Sequence, residues 1–255
     1  FEQAIAKEAL RLAFIQHKSF ATVLKGVQQQ RTIADAFAQT AGGLTLVNMM
    51  TLDMLIGSGG VLSHAPRRHQ AALMLIDGFL PEGITRLAVD SIFMMPQLGV
   101  LSTVHTKAAV EVFNKDCLIH LGTCIAPSGE LKVDYSSTTR REEKEILKYH
   151  FQMPDGETIE GILKYGEMKK YPLGLDEKGN PLKAKATLEP LRGFDLGAGK
   201  GAKVEKEIYG GVTGIILDGR GRPFILPTDD KIRVKKLKEW MIALDIYSKE
   251  ILERL

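Results

Sequence analysis

Four consecutive residues, Gly57-Ser58-Gly59-Gly60, have the types and the setting for ligand chemistry. They follow an apolar run, Leu52 to Ile56, and precede Pro66 and a second apolar run, Gln70 to Leu80. Glycine adopts positive φ and lets a ligand reach the backbone without meeting a Cβ. A glycine turn at the C-terminal end of a parallel strand, feeding a helix, is where open α/β sheets bind ligands. A tight βα turn with no ligand uses the same residues, and the pattern alone leaves both open. Leu62 stands where a dinucleotide fingerprint needs its third glycine, and no Gly-Lys-Ser/Thr follows, which excludes a P-loop.

Other candidates carry less. Asp90, at the end of a second apolar stretch, is the one carboxylate placed like a general base, and a turn or helix-capping role explains it more simply. The stretch Arg192-Gly193-Phe194-Asp195-Leu196-Gly197-Ala198-Gly199-Lys200-Gly201 imitates a phosphate cradle. It lacks glycine at 194 and a hydroxyl at 201, and a strand pattern follows it, so it reads as an ordered β-loop with backbone N–H groups to offer. Cys117 and Cys124, if on one strand, lie on opposite faces and roughly 23 Å apart at ~3.3 Å per residue, beyond disulfide reach. They read as reduced structural thiols of a cytoplasmic protein. The six histidines form no HExxH and no pairing with cysteine, so no metal site is expected.

The chain has 255 residues, 44% hydrophobic and 25% charged, with a formal net charge of +3. That is a globular composition with too little charge to argue for nucleic acid or a membrane surface. No apolar run reaches the ~18 residues of a membrane span. Lys231, Arg233, Lys235, Lys236 and Lys238 have no interleaved aromatics for stacking on bases and read as a solvated helix surface.

The elements that must position the glycine turn can be read in order. Glu2 to Lys18 is a helix with a broad apolar face. Thr22 to Val27 reads as helical turn or short strand, Gln28 to Arg31 as polar, and Ala41-Gly42-Gly43 as a break. Strand Leu52–Ile56, the turn and helix 66–80 follow. The helix is apolar almost all round, hence sandwiched, with Pro66 at its first position and Arg67, Arg68, Gln70 and Asp77 on its outer edge. Thr85 to Val89 is a second strand, expected parallel to the first. Pro96 restarts a helix, and Thr106 is placed to cap another. Strands alternating with helices make residues 1–115 an α/β unit.

Residues 116–255 read as a small antiparallel β domain, barrel or sandwich, with a C-terminal helix. Its strands are Cys117–Ala126, Leu131–Tyr135, the alternating Leu147-Tyr149-Phe151, Thr158–Tyr165, Pro181–Leu188, Val204–Tyr209 and Val212–Leu217. Gly210-Gly211 is a two-residue hairpin signal. Asp229 and Asp230 open the last helix, and Trp240 is expected in its core face.

Four stretches resemble the glutamate mutase accessory proteins, the MutL family: GSGGVLSHAPRR (57–68), PEGITRLAVDSIFMMPQLGVLS (81–102), HLGTCIAPSGE (120–130) and RGFDLGAGKG…GGVTGIILDGRGRP (192–223). The resemblance implies membership of the actin–sugar kinase–Hsp70 ATPase superfamily. It also implies an ATP-dependent reactivating chaperone, releasing damaged cobalamin from an adenosylcobalamin-dependent mutase. Gly57, Ser58, Gly59 and Gly60 match the superfamily turn that contacts adenosine. The motifs for phosphates and Mg²⁺ have no match here. On that resemblance the chain is the C-terminal portion, a partial second ATPase lobe followed by the family's β domain. ATP and Mg²⁺ would be held mainly by an N-terminal lobe, and residues 1–255 alone would not hydrolyse ATP. Two other classes stay open: a small-molecule kinase of the same superfamily, and a non-enzymatic binding module built on the β domain.

Overall fold

The computed structural model describes residues 1–21, 46–129, 131 and 144–253. The readings at Thr22–Val27, Gln28–Arg31 and Ala41–Gly43 lie outside the described residues, as does nearly all of Leu131–Tyr135. Six helices and nine strands are named here: α1 (Glu2–Phe20), β1 (Met54–Gly57), α2 (Gly60–Ser63), α3 (Arg68–Phe79), β2 (Gly83–Asp90), α4 (Met95–Val112), β3 (Leu118–Ala126), β4 (Glu145–Gln152), β5 (Thr158–Lys164), β6 (Met168–Tyr171), β7 (Lys183–Pro190), β8 (Val204–Tyr209), β9 (Gly214–Asp218), α5 (Asp230–Ala243) and α6 (Lys249–Glu253).

A five-stranded sheet, in the order β1-β2-β3-β9-β6, occupies the middle layer. β1 and β2 are parallel, with Ile56 opposite Ala88, and α3 makes the crossover. This is the arrangement expected for the organising stretch. β2 and β3 then run antiparallel, while β3 and β9 are again parallel. The alternation expected to give parallel pairing therefore ends at β2. The sheet takes β1 and β2 from residues before 115 and three strands from residues after it.

One face of this sheet carries helices. Leu87 and Val89 of β2, Cys124 of β3 and Ile216 of β9 meet Ala71, Met74 and Leu75 of α3 and Trp240 of α5 in one core. α3 is covered on its far side by α1. Phe14 and Phe79 stand edge to face at 5.1 Å, and Lys7 pairs with Asp77 at 2.9 Å. Gln70 is buried, where it accepts from Gln3 Nε2 at 3.1 Å and from the Arg67 amide at 3.1 Å. Of the polar residues assigned to an outer edge, Gln70 and Asp77 thus form the seam to α1, whereas Arg67 and Arg68 donate to the Ile246 and Ser63 carbonyls at 2.8 and 2.6 Å. Pro66 lies two residues before α3, and Gln70 reaching back to Arg67 closes the first turn instead.

The other face is covered by a four-stranded antiparallel sheet, in the order β5-β4-β7-β8. Its alternating inward residues Leu147, Tyr149, Phe151, Ala184, Ala186, Leu188 and Ile208 meet Ile125, Ile215 and Leu217 of the first sheet. Among the described residues no barrel closes; the strands assigned to one β domain are divided between two sheets.

Gly210-Gly211 is not a hairpin. β8 pairs with β7 in one sheet and β9 with β3 and β6 in the other, so the two glycines carry the chain from sheet to sheet. A Cβ on Gly210 would collide with the carbonyls of Leu173 and Gly174, and one on Gly211 with the backbone at Leu121. The residues are small because three stretches of backbone cross there, not because a turn needs positive φ. Their amides donate to Leu182 and Leu173 carbonyls at 2.7 and 2.8 Å.

α4 breaks at His105, with φ −148° and ψ 72°, and the His105 Nδ1 accepts the Ala108 amide at 3.2 Å. His105, rather than Thr106, therefore starts the second half. α5 opens as expected: the Asp229 carboxylate accepts from the Ile232 amide at 2.9 Å. Trp240 is 5% exposed and donates its indole N–H to the Gly166 carbonyl at 2.9 Å.

Candidate functional site

β1 delivers Gly57 to the C-terminal end of the parallel pair. A Cβ on Gly57 would meet Leu62 and Leu75 at 3.0 Å, so this glycine is a packing residue facing the core. Gly59 differs. Its φ is +104°, it precedes the single helical turn α2, and its carbonyl accepts from Leu62 and Ser63 at 3.1 and 2.9 Å. A Cβ on Gly59 or Gly60 would meet no atom within 4 Å. These two glycines therefore expose backbone to open space, as a turn that takes a flat ligand requires.

Ser58 turns to the neighbouring strand end. Its hydroxyl donates to Asp90 Oδ2 at 3.3 Å, and the Met95 amide donates to the same oxygen at 2.9 Å. The Asp90 carbonyl accepts from Ser63 Oγ at 2.5 Å. Asp90 has no exposed surface, and among the described residues its Oδ1 has no hydrogen-bond partner. Burial alone would push this carboxyl up. The amides of Met95, Met94 and Ile92, with the Ser58 hydroxyl, hold it below the usual aspartate range. Asp90 thus joins the ends of β1 and β2 to the start of α4. With these partners the buried carboxylate braces the turn.

The second glycine cluster is an ordered loop. Asp195 Oδ1 accepts from the amides of Gly197 and Gly199 at 2.7 and 3.0 Å, and Phe194 is fully buried. The loop spends those N–H groups on its own aspartate. Cys117 and Cys124 are buried free thiols, Cys124 in β3 and Cys117 just before it. Burial pushes Cys124 up to about 12. Among the described residues no group of histidine, cysteine or carboxylate side chains could hold a metal, and no helix is long and apolar enough to cross a membrane.

Sequence reasoning missed one polar centre. Asp218, at the end of β9, is fully buried and accepts from Arg220 Nε at 2.8 Å and Nη2 at 2.9 Å, and from Arg222 Nη2 at 2.9 Å. Arg220 also reaches Asp77 of α3 at 2.8 Å, and its guanidinium lies over the rings of Phe224 and Trp240. Arg222 donates to the Pro81 carbonyl at 3.0 Å. The centre ties the sheet to α3 and α5. An aspartate flanked by two arginines directly after an apolar strand was the available signal.

No curated protein and no solved structure matched the chain. A model of the MutL protein family matches residues 1–117, the segment that holds α1, the glycine turn, the parallel pair and its crossover helix. Over that segment the chain is similar to the MutL protein family.

Proposed function

We propose that this chain is the nucleotide-responsive part of an accessory protein that reactivates an adenosylcobalamin-dependent mutase, glutamate mutase in the first instance. The family match over residues 1–117 carries the reading. Its support in the site is the open backbone at Gly59 and Gly60, which fits an adenosine laid against the turn. ATP hydrolysis would supply the free energy for exchanging the damaged cofactor. Gly59 and Gly60 would receive the base and ribose, Gly57 would seat the turn on the core, and Ser58 would hold the strand ends together through Asp90. The kinase alternative would need Asp90, which is buried, as its base.

The test uses the full-length protein. Gly59→Val forces a β-branched residue to φ +104°, at a cost on the order of 1–3 kcal/mol, and places its side chain in the open volume. ATP affinity measured by calorimetry should fall at least tenfold, equivalent to ~1.4 kcal/mol, with circular dichroism nearly unchanged. Unchanged affinity in a folded variant would remove Gly59 from the site. Turnover should rise with a cobalamin-loaded mutase; a response to a small metabolite instead would favour the kinase.

A further inference from the structure

Arg86 is a charged residue at an inward position of β2. It stands opposite Thr123 of β3, on the face that carries Ile84 and Ile125 toward the four-stranded sheet. That second sheet ends at β8, so part of this face is left uncovered. A cleft of about 260 Å³ remains there, lined by Ile84, Arg86, Thr123, Lys206, Ile208 and Tyr209, with Asp53 and Glu207 also on its wall.

The cleft wall carries Arg86 and Lys206 against Asp53 and Glu207, and Lys183 beside it leaves one net positive charge. Glu207 is held by Lys183 at 2.9 Å. Arg86 and Lys206 have no carboxylate partner among the described residues. The Arg86 guanidinium is partly buried and lies 4.9 Å from the centre of the Tyr209 ring. Tyr209 is itself fixed, because its amide and carbonyl both bond to Thr123 Oγ1, at 3.1 and 2.6 Å. A ring contact engages the guanidinium as a cation. Its five N–H donors find no acceptor among the described residues. Partly buried, positioned and unspent donors of this kind suit a planar or tetrahedral oxyanion, which a guanidinium grips with two parallel hydrogen bonds. The effect reaches His120, which burial and then the Arg86 charge both hold below the usual histidine range.

We propose that this inter-sheet cleft is an anion site, in which Arg86 and Lys206 bind a small carboxylate or phosphate group beside the Tyr209 ring. The site is independent of the glycine turn and of any nucleotide reading. Inorganic phosphate and succinate serve as separate probes, titrated into the intact chain by calorimetry. Saturable binding of one or both is expected, and the stronger probe identifies the group. Arg86→Gln should weaken it at least tenfold. Lys206→Gln, which leaves the ring contact of Arg86 in place, should weaken it severalfold. A double variant at the exposed residues Lys231 and Lys235 removes charge elsewhere and should leave binding unchanged. Circular dichroism checks that each variant folds. Absence of saturable binding at millimolar probe would overturn the site, and so would equal losses in the Lys231/Lys235 control, which would mark general attraction to a basic surface.

Discussion

Asp218 owes its ionised state to two arginines. Burial alone would drive its carboxyl up, but the charges and hydrogen bonds of Arg220 and Arg222 hold it far below the usual aspartate range. Its folded pKa is depressed, so its contribution to stability is complete above the unfolded value of ~3.9 and is lost as pH falls below that value. Asp218→Asn keeps the shape and removes the charge, leaving two buried guanidinium groups opposed by Asp77 alone. Breaking a buried pair in this way costs about 3–5 kcal/mol. Urea denaturation at pH 7 should show that loss. The gap between variant and parent should narrow as the titration is repeated at lower pH. A variant as stable as its parent at pH 7 would mean the centre contributes little beyond packing. Arg86 and Asp218 share one lesson about reading residues. A single charge inside an apolar strand, or at its end, is visible in the sequence; the near partners of Asp218 are too, whereas Asp77 beside Arg220 and Tyr209 beside Arg86 lie far along the chain, where no spacing rule points.

At the level of elements, the sequence was informative wherever a local rule decides. The apolar run, the glycines and the following helix gave β1, the turn and α3 nearly in place, and the 2-residue alternation of Leu147, Tyr149 and Phe151 gave β4. It misled where a glycine pair served two physical purposes. Gly210-Gly211 satisfies the hairpin rule and also the rule for close backbone approach, and only the neighbours in space choose between them. Gly122 makes the same point more severely. It sits in β3 with φ +141°, and a Cβ there would run into the carbonyl of Gly214 in β9. The pairing of β2 with β3 slips beside it, between Leu87 and Ala88. Gly122→Ala should force β3 and β9 apart and cost about 1–3 kcal/mol or more. Gly99→Ala, in α4 with nothing within 4 Å, should be neutral or stabilising by about 0.4–1 kcal/mol. Thermal unfolding of both variants against the parent checks the pair. Similar melting temperatures for the two would contradict the crowding at β3–β9.

For the whole molecule, the five-stranded sheet is the shared wall of two cores. Neighbouring residues of one strand serve both: Cys124 and Ile216 face the helices, while Ile125 and Leu217 face the second sheet. The change of character near residue 115 is legible because helical period gives way to strand period there. That strands beyond it return to complete the first sheet is not, since strand order is set by contacts far apart in sequence. Trp240 lies in the helix-side core and reports on it alone, whereas far-UV circular dichroism reports on both sheets. With a common wall, tryptophan fluorescence and circular dichroism should give coincident urea transitions. Two separated midpoints would show that the cores unfold independently.

The strand order also sets a timetable for synthesis. β9 stands between β3 and β6, and the described β6 has no other strand beside it. A nascent chain that has left the ribosome as far as β8 can pair β1 with β2 and β3, and can assemble the four-stranded sheet. It still lacks the strand that joins β6 to the rest and buries Ile215 and Leu217 against the second sheet. Until residue 218 emerges, apolar faces on β3 and on the second sheet wait without a cover, a state open to aggregation. Arg220 and Arg222 follow two and four residues later and lock the arriving strand to helix α3 and to the Pro81 carbonyl. Closure of the five-stranded sheet therefore waits for β9, and its emergence is the moment at which these apolar faces cease to need protection.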